Sequence, residues 1–600
     1  MKLSKKFLVT YSFLLVCFFA LAVTSFGAKI DNNQFYLSAL VDFPDDALAG
    51  PYNPQLVDKM MQNLKQMGVK RVYWIHYGDR SYEMLWKDAG LSYAPNLVAT
   101  MKTIDDPITL AVKTARKYGL EIYAYIKPYE TGLSYILPEG SPLAAKYGGL
   151  PHLGGPVPCV MKFTREHPEM RIKRRMTDIP ENIDSIPVCR IRLAKNDDAE
   201  THIKKENIEI WTSPCNYKYT KKDVNFTFRD VIEKAPYDVI DWDGKVMTAK
   251  GAPVRVLYLE GLNLTDKYIL ITTDCNDGRV DFGNTGLEML KVYGPDGKEI
   301  PITIAGWECV WFGGQNYRWD GLNFDTGVGR MTRYLDDVGG KPGFAAFCRG
   351  KNEYLFGALC ESYPEVRKFW LGMVKECLDA GVDGVDFRLG VHSTHTDDPF
   401  LYGFNPPVIR EYQRRYGVDI LTQNYDPNLL AELRGEYYTE FLRCASLMIR
   451  SAGKKVQLHL DADRFRPNPP PSRYLAFTWN IKFDWEKWIS EGLADEVTLR
   501  CFSQTGYTTT DSFLQDPFAE RLMEASMAKN LPVHYNRYIR KVPPGRELRE
   551  MIQKVREDGR FRSFVLYEVY DIMRPDPNGN VSFIYGDANS WQEVKKQFGN

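Results

Sequence analysis

One pattern limits this chain more than any other. Short runs rich in apolar, β-branched and aromatic residues alternate with segments of helical period. FYLSALVDF (35–43), VKRVYWIHY (69–77) and LEIYAYIKPY (120–129) are separated by helical stretches at 53–67 and 107–118. Strands alternating with helices demand a parallel sheet with crossover connections. The same order resumes past residue 340. There Val366, Phe369, Trp370, Met373, Val374 and Cys377 mark a helix over 364–380 that Gly381 stops. GVDGVDFR (381–388), KKVQLHLD (454–461) and the runs 495–502, 532–538 and 563–570 supply further strands. Helices are expected between them at 406–416, 429–452, 485–491, 516–529 and 544–558, with a last short one around Trp591. The total is eight strands, so the expected fold class is α/β, a (β/α)8 TIM barrel.

The alternation breaks once. Between about 180 and 340 helical period fades and short β-like runs appear, such as 188–193, 254–259 and 268–273. Asn276-Asp277-Gly278 and Pro295-Asp296-Gly297 punctuate them with turn chemistry. This predicts an all-β, sandwich-like module inserted after strand three, where barrels accept insertions beside their active end. The expected organisation is a signal peptide at 1–28, barrel at 29–178, the module at 179–345 and barrel again at 346–600. The leader is read from a basic start, an apolar run from Phe7 to Val23 and a small-residue exit at Ser25, Gly27 and Ala28. It implies a secreted or periplasmic protein with no stable membrane insertion after cleavage; a retained N-terminal anchor is the alternative.

Composition removes some function classes. The formal net charge is zero, which gives no electrostatic basis for binding nucleic acid. The cysteines beyond Cys17 are scattered with no CxxC pair, so no zinc or iron–sulfur centre is indicated and no cofactor is expected. Aromatic residues make up 13% of the chain, which suits stacking against hydroxylated rings.

The chemistry of a TIM barrel sits where the strands end. Polar residues gather there: His76 and Asp79, Lys127 and Glu130, Asp386, Arg388 and His392, then Gln457, His459, Asp461 and Asp463 in one alternating stripe. Glu496 and Arg500, His534, Asn536 and Arg537, and Glu568 and Asp571 follow. Carboxylates converging from different strands are what glycoside hydrolysis needs, one protonated as acid and one ionised as nucleophile or base. Plainer roles exist for each. For Asp386 with Arg388 a structural ion pair at the barrel rim is the less favoured reading, and for Glu568 a hydrogen-bond anchor stands level with an acid. His459 suits a core, and Asp461 and Asp463 suit loop caps. Tyr402 and Asn405 set a helix start, with Asn405 as N-cap and Pro406 at N1. His392, His395, Asp397 and Asp398 are metal-type residues confined to one loop. The basic run Arg171–Arg175 reads as a solvated face.

GVDGVDFR, YGFNPPVIREYQRRYGVDI, LRGEYYTEFLR, GKKVQLHLD and the phrase Gly357–Val366 together resemble the secreted bacterial glycosyl-hydrolase-like proteins of the family ten-like TIM-barrel group. The resemblance spans Phe35–Arg175 and Cys348–Val581 and implies a glycosidase. A strand-four Asp is also similar to the nucleophile of α-glycosidase-type barrels, which would make Asp386 the nucleophile. The acid of those barrels lies on strand six, and here the choice stays open between Glu568, Asp463 and Asp511, with Glu568 favoured. The expected function is therefore an exported glycoside hydrolase acting on a poly- or oligosaccharide by a two-carboxylate mechanism. Arg388, His392, Tyr402, Asn405, His459, Asp461, Asp463, His76, Lys127 and Asn536 would hold the sugar. The alternative is a non-catalytic glycan-binding or cell-envelope protein on a degenerate barrel. A metal-dependent hydrolase is a third possibility.

Overall fold

The computed structural model describes residues 35–78, 95–131, 161–216, 219–240, 244–273, 290–304, 310–312, 316–318, 344–391, 396, 399–461, 480–501, 514, 516–539 and 543–598. Eight parallel strands close into a barrel in sequential order. They are β1 (Tyr36–Val41), β2 (Val69–Ile75), β3 (Glu121–Ile126), β4 (Gly384–Arg388), β5 (Lys455–Asp461), β6 (Glu496–Cys501), β7 (Val533–Tyr538) and β8 (Phe561–Tyr567). β8 returns to pair with β1 from Tyr36↔Ser563 to Leu40↔Tyr567, so no sheet edge is left open.

The helices follow the patterns that predict them. Asn53, Asp106, Asp426 and Asp516 each accept a backbone N–H in the first turn of a helix that begins with proline: α1 (Pro54–Gln66), α2 (Pro107–Lys117), α5 (Pro427–Ser451) and α7 (Pro517–Ala528). α3 (Pro364–Ala380) ends at Gly381, whose φ of +89° is the left-handed cap position. α4 (Pro406–Tyr416), α6 (Trp485–Ser490) and α8 (Arg546–Asp558) complete the outer layer. Trp74, Trp370, Tyr129, Tyr438, Phe441 and Trp488 lie buried among the aliphatic residues between barrel and helices. At Asn405 the expected cap is absent. Its amide instead bridges Lys173 N (2.9 Å) and the Arg171 carbonyl (2.7 Å), tying the start of α4 to a short strand at Arg171–Lys173.

Between β3 and β4 stand two five-stranded antiparallel sheets. One contains Val188–Ala194, Thr227–Lys234, Pro253–Leu264, Leu290–Tyr293 and Glu299–Ile300; the other contains Ile208–Ser213, Thr220–Lys222, Tyr268–Thr273, Ile302–Ile304 and Phe344–Arg349. Ile191, Leu193, Leu257 and Val292 from the first sheet share a core with Ile210, Ile269, Ile271 and Phe347 from the second, a sandwich arrangement. The chain leaves the barrel through Arg171–Lys173 and comes back through Tyr354–Leu359, and these two segments pair with each other antiparallel. The basic run is therefore no solvated face. Arg171 and Arg174 are buried, Arg174 binds Asp178 through two bonds of 2.6 and 2.7 Å, and Arg175 donates to the Leu421 carbonyl.

Candidate active site

Alternate residues of each barrel strand point inward, and this barrel is polar along most of its axis. At its N-terminal end Arg71 of β2 donates to Glu121 (2.6 Å) and makes a close pair with Glu496 of β6. Its guanidinium also lies 3.9 Å from the centroid of the Tyr123 ring. His534 joins through Nε2 to Glu496 at 3.1 Å and through Nδ1 to Ser563 at 2.8 Å. Burial works to raise the Glu496 pKa, but His534 and Arg71 prevail and hold the carboxyl far below the usual range. Burial lowers the His534 pKa despite the neighbouring Glu496. Glu496 and Gln457, grouped by sequence with the mouth residues, thus belong to the opposite end and the interior. Position along the strand, and not inward parity alone, decides which end a side chain serves.

Above this network Asp386 of β4 accepts from His459 Nδ1 of β5 at 2.9 Å, both side chains fully buried. Asp386 Oδ1 and His459 Nε2 have no hydrogen-bond partner among the described residues, and neither have Arg388 Nε, Asp42 Oδ1 or either amide atom of Asn536. Asp386 and Arg388 do not pair with each other. Arg388 instead donates to the Tyr567 hydroxyl at 3.2 Å.

At the strand ends Lys127 gathers the first three strands. Its ammonium donates to Asp42 (3.2 Å), the Tyr77 hydroxyl (3.0 Å) and Glu130 (2.9 Å), while Tyr125 donates to Asp42 at 2.7 Å. Across the mouth Arg500 lies 3.6 Å from Asp461 and 4.1 Å from the centroid of the Tyr567 ring. Glu568 follows directly on β8 and is 2% exposed. Its charge acts on both Tyr567 and Tyr125. Burial disfavours the Arg388 cation, but Tyr567, Asp461, Tyr125 and Glu130 outweigh it and raise its pKa. Lys127 is likewise opposed by burial and raised by Asp42 and Glu130. Four carboxylates and three cations from different strands therefore meet at this end, and Lys127 and Arg388 are held charged.

The expected site residues divide accordingly. Asp386, Arg388, His459, Asp461, Asn536, Lys127 and Glu568 come together inside the barrel or at its mouth. His76 does not; it turns outward, and its Nε2 contacts Glu376 of α3 at 2.7 Å. Asn405 serves the scaffold, as described above. Tyr402 is buried, and its backbone bridges Arg174 and accepts from the Asn480 amide. His392, His395, Asp397, Asp398, Asp463, Asp511 and Asp79 lie outside the described residues, as does the 1–28 segment. Sequence reasoning missed Asp42, Tyr77, Tyr125 and Tyr567. Inward parity would have found three of them: Ser38-Leu40-Asp42, Tyr123-Tyr125-Lys127 and Ser563-Val565-Tyr567 are same-face series. Among the described residues no group of three or more His, Cys, Asp or Glu is placed to hold a metal ion, and no helix is long and apolar enough to cross a membrane.

No protein-family model and no curated protein sequence matches this chain. Solved structures similar to it include the catalytic domain of a β-amylase from Paenibacillus polymyxa, 8% identical, covering 94% of this chain and 98% of that one at a TM-score of 0.42. A β-galactosidase from Marinomonas ef1 is 8% identical, with 94% of this chain and 59% of that chain covered and a TM-score of 0.37. A morphinone reductase is also 8% identical, with 88% and 82% covered and a TM-score of 0.30. Likeness at this level carries no argument about chemistry. The barrel is established by its own strand pairing, and any activity has to be read from the side chains.

Proposed function

We propose that this chain is an exported glycoside hydrolase that cleaves a poly- or oligosaccharide at the C-terminal mouth of the barrel. The observation that carries this reading is the state of Asp386. His459 holds one carboxylate oxygen, and the other has no partner among the described residues, as a nucleophile or base requires. Arg388, Asn536 and Asp42 present further buried polar atoms without partners among the described residues, a lining suited to sugar hydroxyls. In this reading Asp386 attacks the anomeric carbon, or activates the water that does so. Glu568 gives its proton to the departing glycosidic oxygen as that bond breaks. Arg388, His459, Asp461, Asn536 and Lys127 orient the sugar, and His392 and Asp463 are assigned to the same task. The resemblance of 381–388 and 402–420 to glycosyl-hydrolase-like barrels supports the same class.

The test is reducing-end release from a glycan panel by residues 29–600, beside Asp386→Asn and Glu568→Gln. Wild-type release that falls about 10²–10⁴-fold in each variant supports the assignment. Equal release by all three proteins rejects it. A second reading has its own support. Lys127, Arg388 and Arg500 balance most of the negative charge at the mouth, as a hydroxyl-binding cup without catalysis would have it. Glycan binding with no release by any of the three proteins selects that reading.

A further inference from the structure

Asp42 stands where a helix cap belongs and does not cap. It directly precedes the short helix Phe43–Ala49, at the position where an aspartate ordinarily accepts a backbone N–H of the first turn. Its side chain accepts none there. It turns instead to the end of β3, where Oδ2 takes the Tyr125 hydroxyl at 2.7 Å and the Lys127 ammonium at 3.2 Å. All three side chains are buried. Oδ1 is buried as well and has no hydrogen-bond partner among the described residues.

The groups that hold Asp42 have no donor left for that oxygen. An ammonium carries three N–H bonds and a phenol one O–H. Lys127 spends its three on Asp42, the Tyr77 hydroxyl and Glu130, and Tyr125 spends its one on Asp42. A buried carboxylate oxygen left bare is costly, and such an atom in a native fold calls for a partner from outside. Asp42 also lies toward the groups to which the reaction is assigned. The Tyr125 phenol that holds it interacts with the charges of Arg388 and Glu568, and Asp42 itself acts on Tyr567, the residue before Glu568. We propose that Asp42 is a specificity-determining residue of this site, whose Oδ1 accepts a hydrogen bond from a hydroxyl or amino group of the bound sugar. This rests on the reading of the mouth as a sugar site. A sugar carboxylate is excluded from that position, because it would set lone pairs against lone pairs. Lys127, its donors spent, orients the sugar through Asp42.

Asp42→Asn tests this. Tyr125 and Lys127 both donate to Oδ2, so the asparagine keeps its carbonyl oxygen there and presents its NH2 where Oδ1 stood. An acceptor becomes a donor with no change of shape. Steady-state release and calorimetric affinity are measured on neutral and amino-sugar oligosaccharides for wild type, Asp42→Asn and Tyr125→Phe. Asp42→Asn is expected to raise KM and Kd together by about 10–10²-fold, with kcat within about three-fold. A loss near about ten-fold marks a hydroxyl, which can turn round and accept; one near about a hundred-fold marks an ammonium, which cannot. Tyr125→Phe removes one donor from Oδ2 and leaves Oδ1 in place, for an expected loss of about three-fold. It carries the test if circular dichroism shows Asp42→Asn to be unfolded. Wild-type KM and Kd in the folded variant, whatever its Tm, overturn the inference and leave the hydrolase reading standing. Binding without release by wild type, weakened in Asp42→Asn, rejects the hydrolase reading and keeps Asp42 as a sugar contact.

Discussion

His459 decides how Asp386 can act. Replacing it by Ala strands a fully buried carboxylate without its donor, at a cost of about 1–3 kcal/mol in urea unfolding. In the proposed reaction the same change lowers kcat by more than it changes KM; a variant with wild-type kcat would separate His459 from the chemistry. Glu496 carries the pH dependence at the other end of the barrel. Its native pKa is held below the ordinary 4.5, so its contribution is present above that value and is lost as pH falls. His534 is depressed below 6.5, so the unfolded imidazole takes its proton first and acid again favours unfolding. Stability therefore declines downward from about pH 6.5, with a second component below about pH 4.5. Glu496→Gln breaks the pair with Arg71 and costs about 3–5 kcal/mol near neutrality. It also flattens the pH dependence below about 4.5, and curves that stay parallel to wild type would contradict the pairing.

At the level of elements, two close approaches seat α5 against its neighbouring segments. A side chain at Gly435 in the middle of α5 would strike the Lys482 carbonyl oxygen, and one at Gly403 would meet the Arg434 guanidinium at 2.5 Å with φ at +108°. Arg434 is itself locked to Glu361 by bonds of 2.7 and 3.3 Å in a fully buried pair. Gly435→Ala is expected to cost about 1–3 kcal/mol, because backbone yields less readily than a side chain. A denaturation midpoint equal to that of wild type would show that α5 can shift. Elements of this kind were legible in the sequence. Strands and helices announce themselves through period, proline starts and caps, and β1–β8 appear within a few residues of their expected limits. Contacts between elements were not. His76 directly follows β2 and Asp386 lies in the middle of β4, both in polar stretches, yet one faces a helix and the other the barrel axis. Only inward parity, set by how the strands close, separates them. Asn405 likewise carried a sound local signal for capping, which a tertiary contact with Arg171 and Lys173 displaced.

Among the described residues the two largest hydrophobic cores share no residue, one around the barrel and one between the two antiparallel sheets, and a smaller cluster of Ala194, Ala235, Val239, Val254 and Val256 stands apart from both. Differential scanning calorimetry is expected to resolve two transitions, and Phe347→Ala, in the sandwich core, should lower only one of them. A single transition moved as a unit by Phe347→Ala would show that the cores melt together. That antiparallel strands interrupt the alternation was readable from the loss of helical period, although the strand Phe344–Arg349 of the second core runs past the expected limit at 345. The module's relation to the barrel was not, because the pairing of Arg171–Lys173 with Tyr354–Leu359 joins short segments about 180 residues apart that no local pattern links. That pairing has a structural consequence. The guest departs and returns through neighbouring strands packed on the host, with Ile172, Leu355 and Leu359 in the host's own core. The closed ring of eight strands is therefore spanned, not opened, by the insertion, and the chain's exit and re-entry lie side by side as one seam that Arg171 also ties to the Cys215 carbonyl of the module.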